Sequence, residues 1–394
     1  MWLRTLNQSS LISTTLLFTG LTMSPPAMAA SVYSVTDLGT LGNGTYSRAY
    51  GINNKSQVVG IAEPEDTPIR GFLYNNGSLQ NLGTLPGGEF SYAFGINNLG
   101  QVVGLSGTTK STPISLSEHT RAFLYSDGVL QNLGTLGDDY SAAYAINDKS
   151  QVVGTATLPN GYEHAFVYTG GTLQDLGTIS SNIETQKFFV NSVAYGINNS
   201  GQVVGSSSAA GSVATTGEAH AFLYNGGSLQ DLGMLPGGRY YSAAYGINNS
   251  GQVVGLSDIG ILGQLHAFLY SGGSLQDLGT LGGRDSAAYG INDLGQVVGS
   301  SSVDPIFNNN HAFVYSDGVI ADLNSLIPAN SGWVLTGAQG INNGGQIVGD
   351  GLINGQNHAF LATPVPEPFS TLLDILAFSA VLGTGKALKR KQKK

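Results

Sequence analysis

Five histidines recur at one slot of a repeated phrase, at His164, His220, His266, His311 and His358, each followed by Ala-Phe. Imidazole binds transition metals and moves protons near neutral pH. A metal draws its ligands to within about 2.0–2.3 Å of one point, and residues placed once per repeat cannot all converge there. Arg70 and Arg121 fill the same slot in two other repeats. The expected role of the triplet histidines is therefore structural, as hydrogen bonds between repeats or as strand caps. His119, outside the triplets, is expected to be inert.

Catalysis needs an asymmetric constellation, so the polar residues that do not repeat are the candidates: Glu63, Glu65, Asp66, Glu118, His119, Asp138, Asp139, Glu163, Glu184, Lys187 and Asp304. Paired carboxylates among them could serve glycoside hydrolysis, where their separation sets the outcome. No G-x-S-x-G elbow, H-E-x-x-H or Walker-type loop occurs. Calcium takes six to eight oxygens. Polar turns such as Asn198-Asn199-Ser200-Gly201 hold several, but no D-x-[DN]-x-[DN]-G loop is present. No metal and no cofactor are expected. Exposed tyrosine rings could stack on sugars, yet Tyr125, Tyr168, Tyr224, Tyr270 and Tyr315 share a repeated slot, which points to packing between repeats. Gln57, Gln101, Gln151, Gln202, Gln252, Gln296 and Gln346 also share one slot and are expected to satisfy buried backbone groups.

The elements that position these residues follow from the repeat. An Ile-Asn pair recurs at Ile52, Ile96, Ile146, Ile197, Ile247, Ile291 and Ile341, in steps of 44–51 residues. Each unit reads as four strands: Ala-Tyr-Gly-Ile, then Gln-Val-Val-Gly after an Asn-rich turn, then Ala-Phe-Leu-Tyr, then Leu-Gln-Asp-Leu after a Gly-containing turn. Four short antiparallel strands per unit predict a β-propeller blade. Residues 33–39 read as a fourth strand with no preceding three, and residues 358–361 as a third strand with no fourth. A closed ring unites them, so the expectation is an all-β, seven-bladed propeller whose last blade is completed by the N-terminal strand. Ala-Tyr-Gly-Ile is then innermost. The links from strand two to three and between blades vary in length and share one face, the expected binding surface.

Composition narrows the function. Charged residues make up 10%, Gly numbers 57 and cysteine is absent, so stability must come from packing rather than disulfides. Net charge is −9, and six of the lysines and arginines sit in the last nine residues, leaving a strongly acidic body. Such a body argues against nucleic-acid backbones. Residues 1–29 read as a secretory signal peptide, with Arg4, an apolar run, and Ala27 and Ala29 framing an A-x-A site that would leave Ala30 first. At the other end Pro366, Glu367 and Pro368 precede an apolar segment of one membrane span, 369–388, and a basic tail. Asp374 inside it is costly in a bilayer.

The His-Ala-Phe phrases resemble the HAF repeats of predicted extracellular proteins. The tripartite ending resembles the PEP-CTERM sorting signal of bacterial exported proteins, which implies a transmembrane helix, recognition by an exosortase and removal of the tail. The expected organisation is a signal peptide (1–29), a propeller (30–363) and a sorting signal (364–394). Processing partners would be signal peptidase and exosortase. The expected location is the cell envelope, outer surface or outside, with a transient membrane anchor. The expected function is a non-catalytic binding or structural module that meets an exopolysaccharide or surface protein. The alternative is a polysaccharide-processing enzyme with its site on the variable face or the axis.

Overall fold

The computed structural model describes residues 32–65, 67–109, 119–179, 191–208, 218–260, 263–306 and 309–365. These form seven four-stranded antiparallel sheets. Six contain consecutive strands, the first running Ser47–Ile52, Val58–Ala62, Arg70–Asn75 and Ser78–Asn81. The seventh joins Trp333–Ile341, Ile347–Ile353 and Gln356–Val365 to the N-terminal strand β1, Val32–Gly39. β1 pairs antiparallel with the last strand, from Val32 opposite Val365 to Asp37 opposite Phe360. The seven-bladed propeller closed by its N-terminal strand is thus as expected, and closure covers an edge that would otherwise offer unpaired amides.

The repeated phrase forms blades because of what each slot must bury. Phe72, Phe123, Phe166, Phe222, Phe268, Phe313 and Phe360 are fully buried, one per blade. Each third-strand ring lies over the glycine of Gln-Val-Val-Gly. A Cβ at Gly60 would sit 2.0 Å from the Arg48 carbonyl oxygen and 2.8 Å from the Phe72 ring. Only glycine fits that close approach. The core is divided into wedges between neighbouring blades. One holds Val59, Leu73, Leu82 and Leu85 of the first blade against Ala93, Val102, Phe123 and Tyr125 of the second. The tyrosine slot represented by Tyr125 therefore packs between blades, and its hydroxyl accepts from Gln80 of the blade before at 2.9 Å.

Polar staples join the wedges. The Ser91 hydroxyl donates to the Gly83 carbonyl at 2.6 Å and accepts the Gly71 amide at 3.0 Å, both in the preceding blade. Ser47 makes the same two bonds to Gly39 and Ala359, across the ring closure. In the Asn-rich turn, the Asn53 carboxamide oxygen accepts the amides of Lys55 and Gln57. Its Nδ2 donates to Gln57 Oε1 and to the Asn97 carbonyl of the next blade. The repeated glutamines thus accept from asparagine side chains, where backbone partners were expected.

One expectation is corrected. Among the described residues no helix is long and apolar enough to cross a membrane, and the one helical element is the 3-10 turn Leu323–Leu326. The described apolar residues lie in short strands that satisfy their backbone groups by lateral pairing, so none of them builds a long apolar helix. The transmembrane helix, the membrane partnership and the transiently anchored location that rested on it are withdrawn. The segment 369–388 lies outside the described residues, as do Ala27, Ala29 and Ala30 of the leader and Pro366, Glu367 and Pro368 of the sorting motif.

Candidate functional site

The innermost strands line an axial channel in layers. From the variable-loop face inward, each strand presents a tyrosine-type slot, then glycine (Ala145 in the third blade), then isoleucine, and ends at the Asn turn on the opposite face. The tyrosine slot holds Tyr50, Phe94, Tyr144, Tyr195, Tyr245, Tyr289 and, in the seventh blade, Gln339. Five successive ring pairs, from Tyr50–Phe94 round to Tyr245–Tyr289, stand 5.2–5.6 Å apart between centroids. These rings are partly exposed, and Phe94, Tyr144, Tyr195 and Tyr245 line a cavity of about 200 Å³ together with the glycine and isoleucine slots. The sequence assigns small residues to the axis. It does not reveal that the Tyr of Ala-Tyr-Gly-Ile faces the channel, although an aromatic in six of seven units was the available signal.

Burial pushes the Tyr50 and Tyr195 phenols up to about 12 and raises Tyr144 and Tyr245 further. All stay protonated near neutrality, as hydroxyls that both donate and accept. The wall is therefore aromatic, with successive rings tilted 43–67° to one another, and carries neutral hydroxyls at every ring but Phe94.

The ring is interrupted at Gln339, and the asymmetric charges lie at that break. Arg48 Nε stands 3.0 Å from Asp350 Oδ1, and the guanidinium lies 5.3 Å from the Tyr50 ring centroid. The contact is an ion pair without hydrogen-bond alignment, since both of those atoms are buried and find no aligned partner. Burial pushes the Asp350 carboxyl up, against the pull of Arg48. Burial lowers Arg48 in turn, but Asp350 together with Tyr50, Tyr46 and Tyr289 outweighs it and the guanidinium ends raised. Asp350 occupies a second-strand slot held by Ile61, Leu105, Thr155, Ser206, Leu256 and Ser300 in the other blades. Aligning the repeats exposes this single acid, which sequence reasoning overlooked.

The candidate residues read from sequence do not meet in one pocket. Glu63 and Glu65 line a crevice of about 540 Å³ with Asn43, whose Nδ2 donates to Glu65. His119 lies 3.6 Å from Asp139, which also pairs with Arg121 at 2.9 Å. His119 takes a left-handed φ of 64°. Glu163 lies within electrostatic reach of Tyr140, Tyr144 and Tyr195, and burial raises its carboxyl. Asp304 accepts the Ile306 amide, and Asp138 is exposed. Asp66, Glu118, Glu184 and Lys187 lie outside the described residues.

The triplet histidines bond within the blade edge. His164, His220, His266 and His311 each place Nδ1 at 2.7–2.9 Å from the fourth-strand aspartate of their own blade. Arg70 and Arg121 instead donate to the carbonyls of Glu89 and Asp139 in the link to the next blade. No group of three or more His, Cys, Asp or Glu among the described residues could hold a metal. On the opposite face, the Asn54 slot forms a circular relay in which each amide donates to the next blade's side chain. Asn343 returns to Asn54 at 2.9 Å.

Comparison with known proteins adds the fold and little more. Residues 91–232 match the model of a family described as a protein of unknown function, DUF3466. No curated protein matches the chain. Among solved structures, the β-propeller domain of the Trilobed protease from Pyrococcus furiosus is 9% identical, with a TM-score of 0.50 over 84% of this chain and 95% of that one. A gluconolactonase from Xanthomonas campestris is 10% identical, with a TM-score of 0.40 over 87% and 94% of the two chains. Trypanosoma rangeli sialidase is 10% identical, with a TM-score of 0.41 over 90% and 62%. The protease domain is described as having an open velcro topology, whereas β1 closes the sheet here. At 9% identity the likeness to the protease domain supports the propeller fold alone.

Proposed function

We propose that the chain is a carbohydrate-binding propeller whose site is the tyrosine-walled mouth of the axial channel on the variable-loop face. The observation that carries this reading is the unbroken run of six aromatic rings around the axis, ending at Gln339, Arg48 and Asp350. Flat rings stack against the C–H faces of pyranoses, and phenol edges bond their hydroxyls. Convergent polar groups on one side give such a pocket an orientation. The test is titration of the purified protein with an oligosaccharide panel. Tyr195→Ala is expected to weaken binding about five- to 150-fold, as loss of a stacking ring and its hydroxyl removes about 1–3 kcal/mol. Absence of binding across the panel would defeat the reading.

A second reading, cleavage of the bound saccharide, has one observation in its favour. Burial raises the carboxyls of Glu163 and Asp350, the condition a proton-donating acid requires. Release of reducing ends that is abolished by Glu163→Gln or Asp350→Asn would establish it. Intact saccharide after prolonged incubation would leave binding alone.

A further inference from the structure

Resting on the carbohydrate reading, we infer that the axial mouth selects acidic saccharides, with Arg48 receiving the carboxylate of a uronic acid at the break in the aromatic ring. Three observations carry this inference.

Arg48 is used differently from the other arginines at repeat positions. Arg70 spends its guanidinium on backbone carbonyls, and Arg121 on the Asp139 carbonyl and carboxylate. Among the described residues Arg48 contacts Asp350 on its Nε flank and the face of Tyr50, with Tyr46 and Tyr289 within electrostatic reach. That leaves the edge formed by its two Nη groups for a ligand. About a third of the side chain is exposed, while Asp350 is 13% exposed. The two-nitrogen edge of guanidinium matches a carboxylate in a bidentate, charge-assisted pair.

The second observation is the notch beside it. The first-strand slot of Arg48 holds Tyr92, Ala142, Val193, Ala243 and Ala287 in the next five blades and Gly337 in the seventh. A Cβ on Gly337 would lie 3.3 Å from Gln339 Nε2 and 3.6 Å from Asp350 Oδ1. Glycine therefore keeps open a small space flanked by an amide donor and the carboxyl that braces Arg48. Gln339 Nε2 can donate to the same carboxylate or to a neighbouring hydroxyl.

The third is charge. In a chain of net charge −9, this mouth pairs its cation with an acid that burial drives toward the neutral form. The aromatic wall adds only neutral phenols. An anionic ligand arriving at the Nη edge thus meets a cation whose counter-charge sits on the Nε flank. Asp350 holds the guanidinium from its Nε flank through charge.

The experiment uses the full chain and isothermal titration with tetrasaccharides containing glucuronate, galacturonate or mannuronate, each beside its carboxyl-reduced neutral counterpart. At least one acidic tetramer is expected to bind about tenfold more tightly than its counterpart, the scale of a charge-assisted pair, with the advantage falling as salt is raised. Arg48→Gln is expected to bring that ratio close to one, Arg48→Lys to retain part of it, and Tyr195→Ala to weaken both members while keeping the ratio. Melting curves and circular dichroism of each variant exclude misfolding. Equal binding of every acidic and neutral pair, or an Arg48→Gln variant that keeps the preference, would overturn the inference and leave the carbohydrate reading standing. No binding of either class would overturn both.

Discussion

His358 and Asp37 are hydrogen-bonded, Nδ1 to carboxylate at 2.9 Å, across 321 residues of sequence. This is the blade-edge pair of His164–Asp175 and its relatives, assembled here from the two ends of the propeller. The link therefore acts at the ring closure, where β1 alone completes the seventh sheet. Asp37→Asn is expected to lower stability by about 1 kcal/mol or less, the scale of a part-exposed pair. In the first two blades asparagine at the aspartate slot (Asn81, Asn132) goes with arginine at the histidine slot (Arg70, Arg121). The double change Asp37→Asn with His358→Arg is accordingly expected to recover most of the loss. Thermal melts of the three proteins check this. A double variant no better than Asp37→Asn would refute the pairing rule.

The same pair elsewhere gives a pH signature. The hydrogen bond to Asp231 raises His220, with burial opposing. Burial disfavours the charged Asp231, but His220 and the Gly233 amide outweigh it and hold the carboxyl low. A raised histidine contributes its stability in full below its ordinary value of 6.5 and loses it as pH climbs through the higher folded value. A lowered aspartate contributes in full above 3.8 and loses it as pH falls through the lower folded value. The pair is expected to stabilise most between those two values. Subtracting melting curves of a His220→Ala, Asp231→Asn double variant from wild type across pH 3 to 9 should show that window, with an amplitude of about 1 kcal/mol or less given the partial exposure.

Sequence conveys the blade because each strand's slots repeat. The Gln-Val-Val-Gly and Ala-Phe phrases name the buried faces, and the unmatched segments around Tyr33 and Phe360 name the closure. What it hides is lateral. Ser91 looks like a strand-end residue until its two bonds to Gly71 and Gly83 of another blade are seen. The His–Asp pairing was readable, since histidine or arginine alternates with aspartate or asparagine eleven positions later. Arg48 and Asp350 were hidden because they lie on first and last blades that touch only when the ring closes. Each differs from its repeat mates, so a slot-by-slot alignment would have singled both out.

Close packing at the second-strand glycine makes a sharp prediction. A Cβ at Gly255 would lie 1.9 Å from the Ala243 carbonyl oxygen and 2.9 Å from Ala244 Cα. Both are backbone, so no side chain can move aside to relieve the clash. Gly255→Ala is expected to destabilise by about 3 kcal/mol or more, whereas Gly272→Ala, in an open hairpin turn, should cost about 1 kcal/mol. Denaturant midpoints of the two variants test the contrast. A Gly255→Ala protein as stable as Gly272→Ala would mean that the inner strands can separate freely.

The Arg48–Asp350 pair separates stability from function. Removing one partner, as in Asp350→Leu, leaves a largely buried cation without its counter-charge and is expected to cost about 1–3 kcal/mol, less than a fully buried pair because Arg48 is partly exposed. Replacing both, as Arg48→Met with Asp350→Leu, removes two unaligned polar atoms and substitutes packing. That protein is expected to be within about 1 kcal/mol of wild type or more stable. If the pair exists to hold the ring together, the double variant will instead melt lower than either single one. If it exists for a ligand, the double variant will fold well and lose discrimination between saccharides at the mouth. Urea denaturation beside the titrations above distinguishes the two. The misaligned contact, an ion pair at 3.0 Å with both atoms unsatisfied, favours the second outcome, since selection for stability alone would have aligned or discarded it.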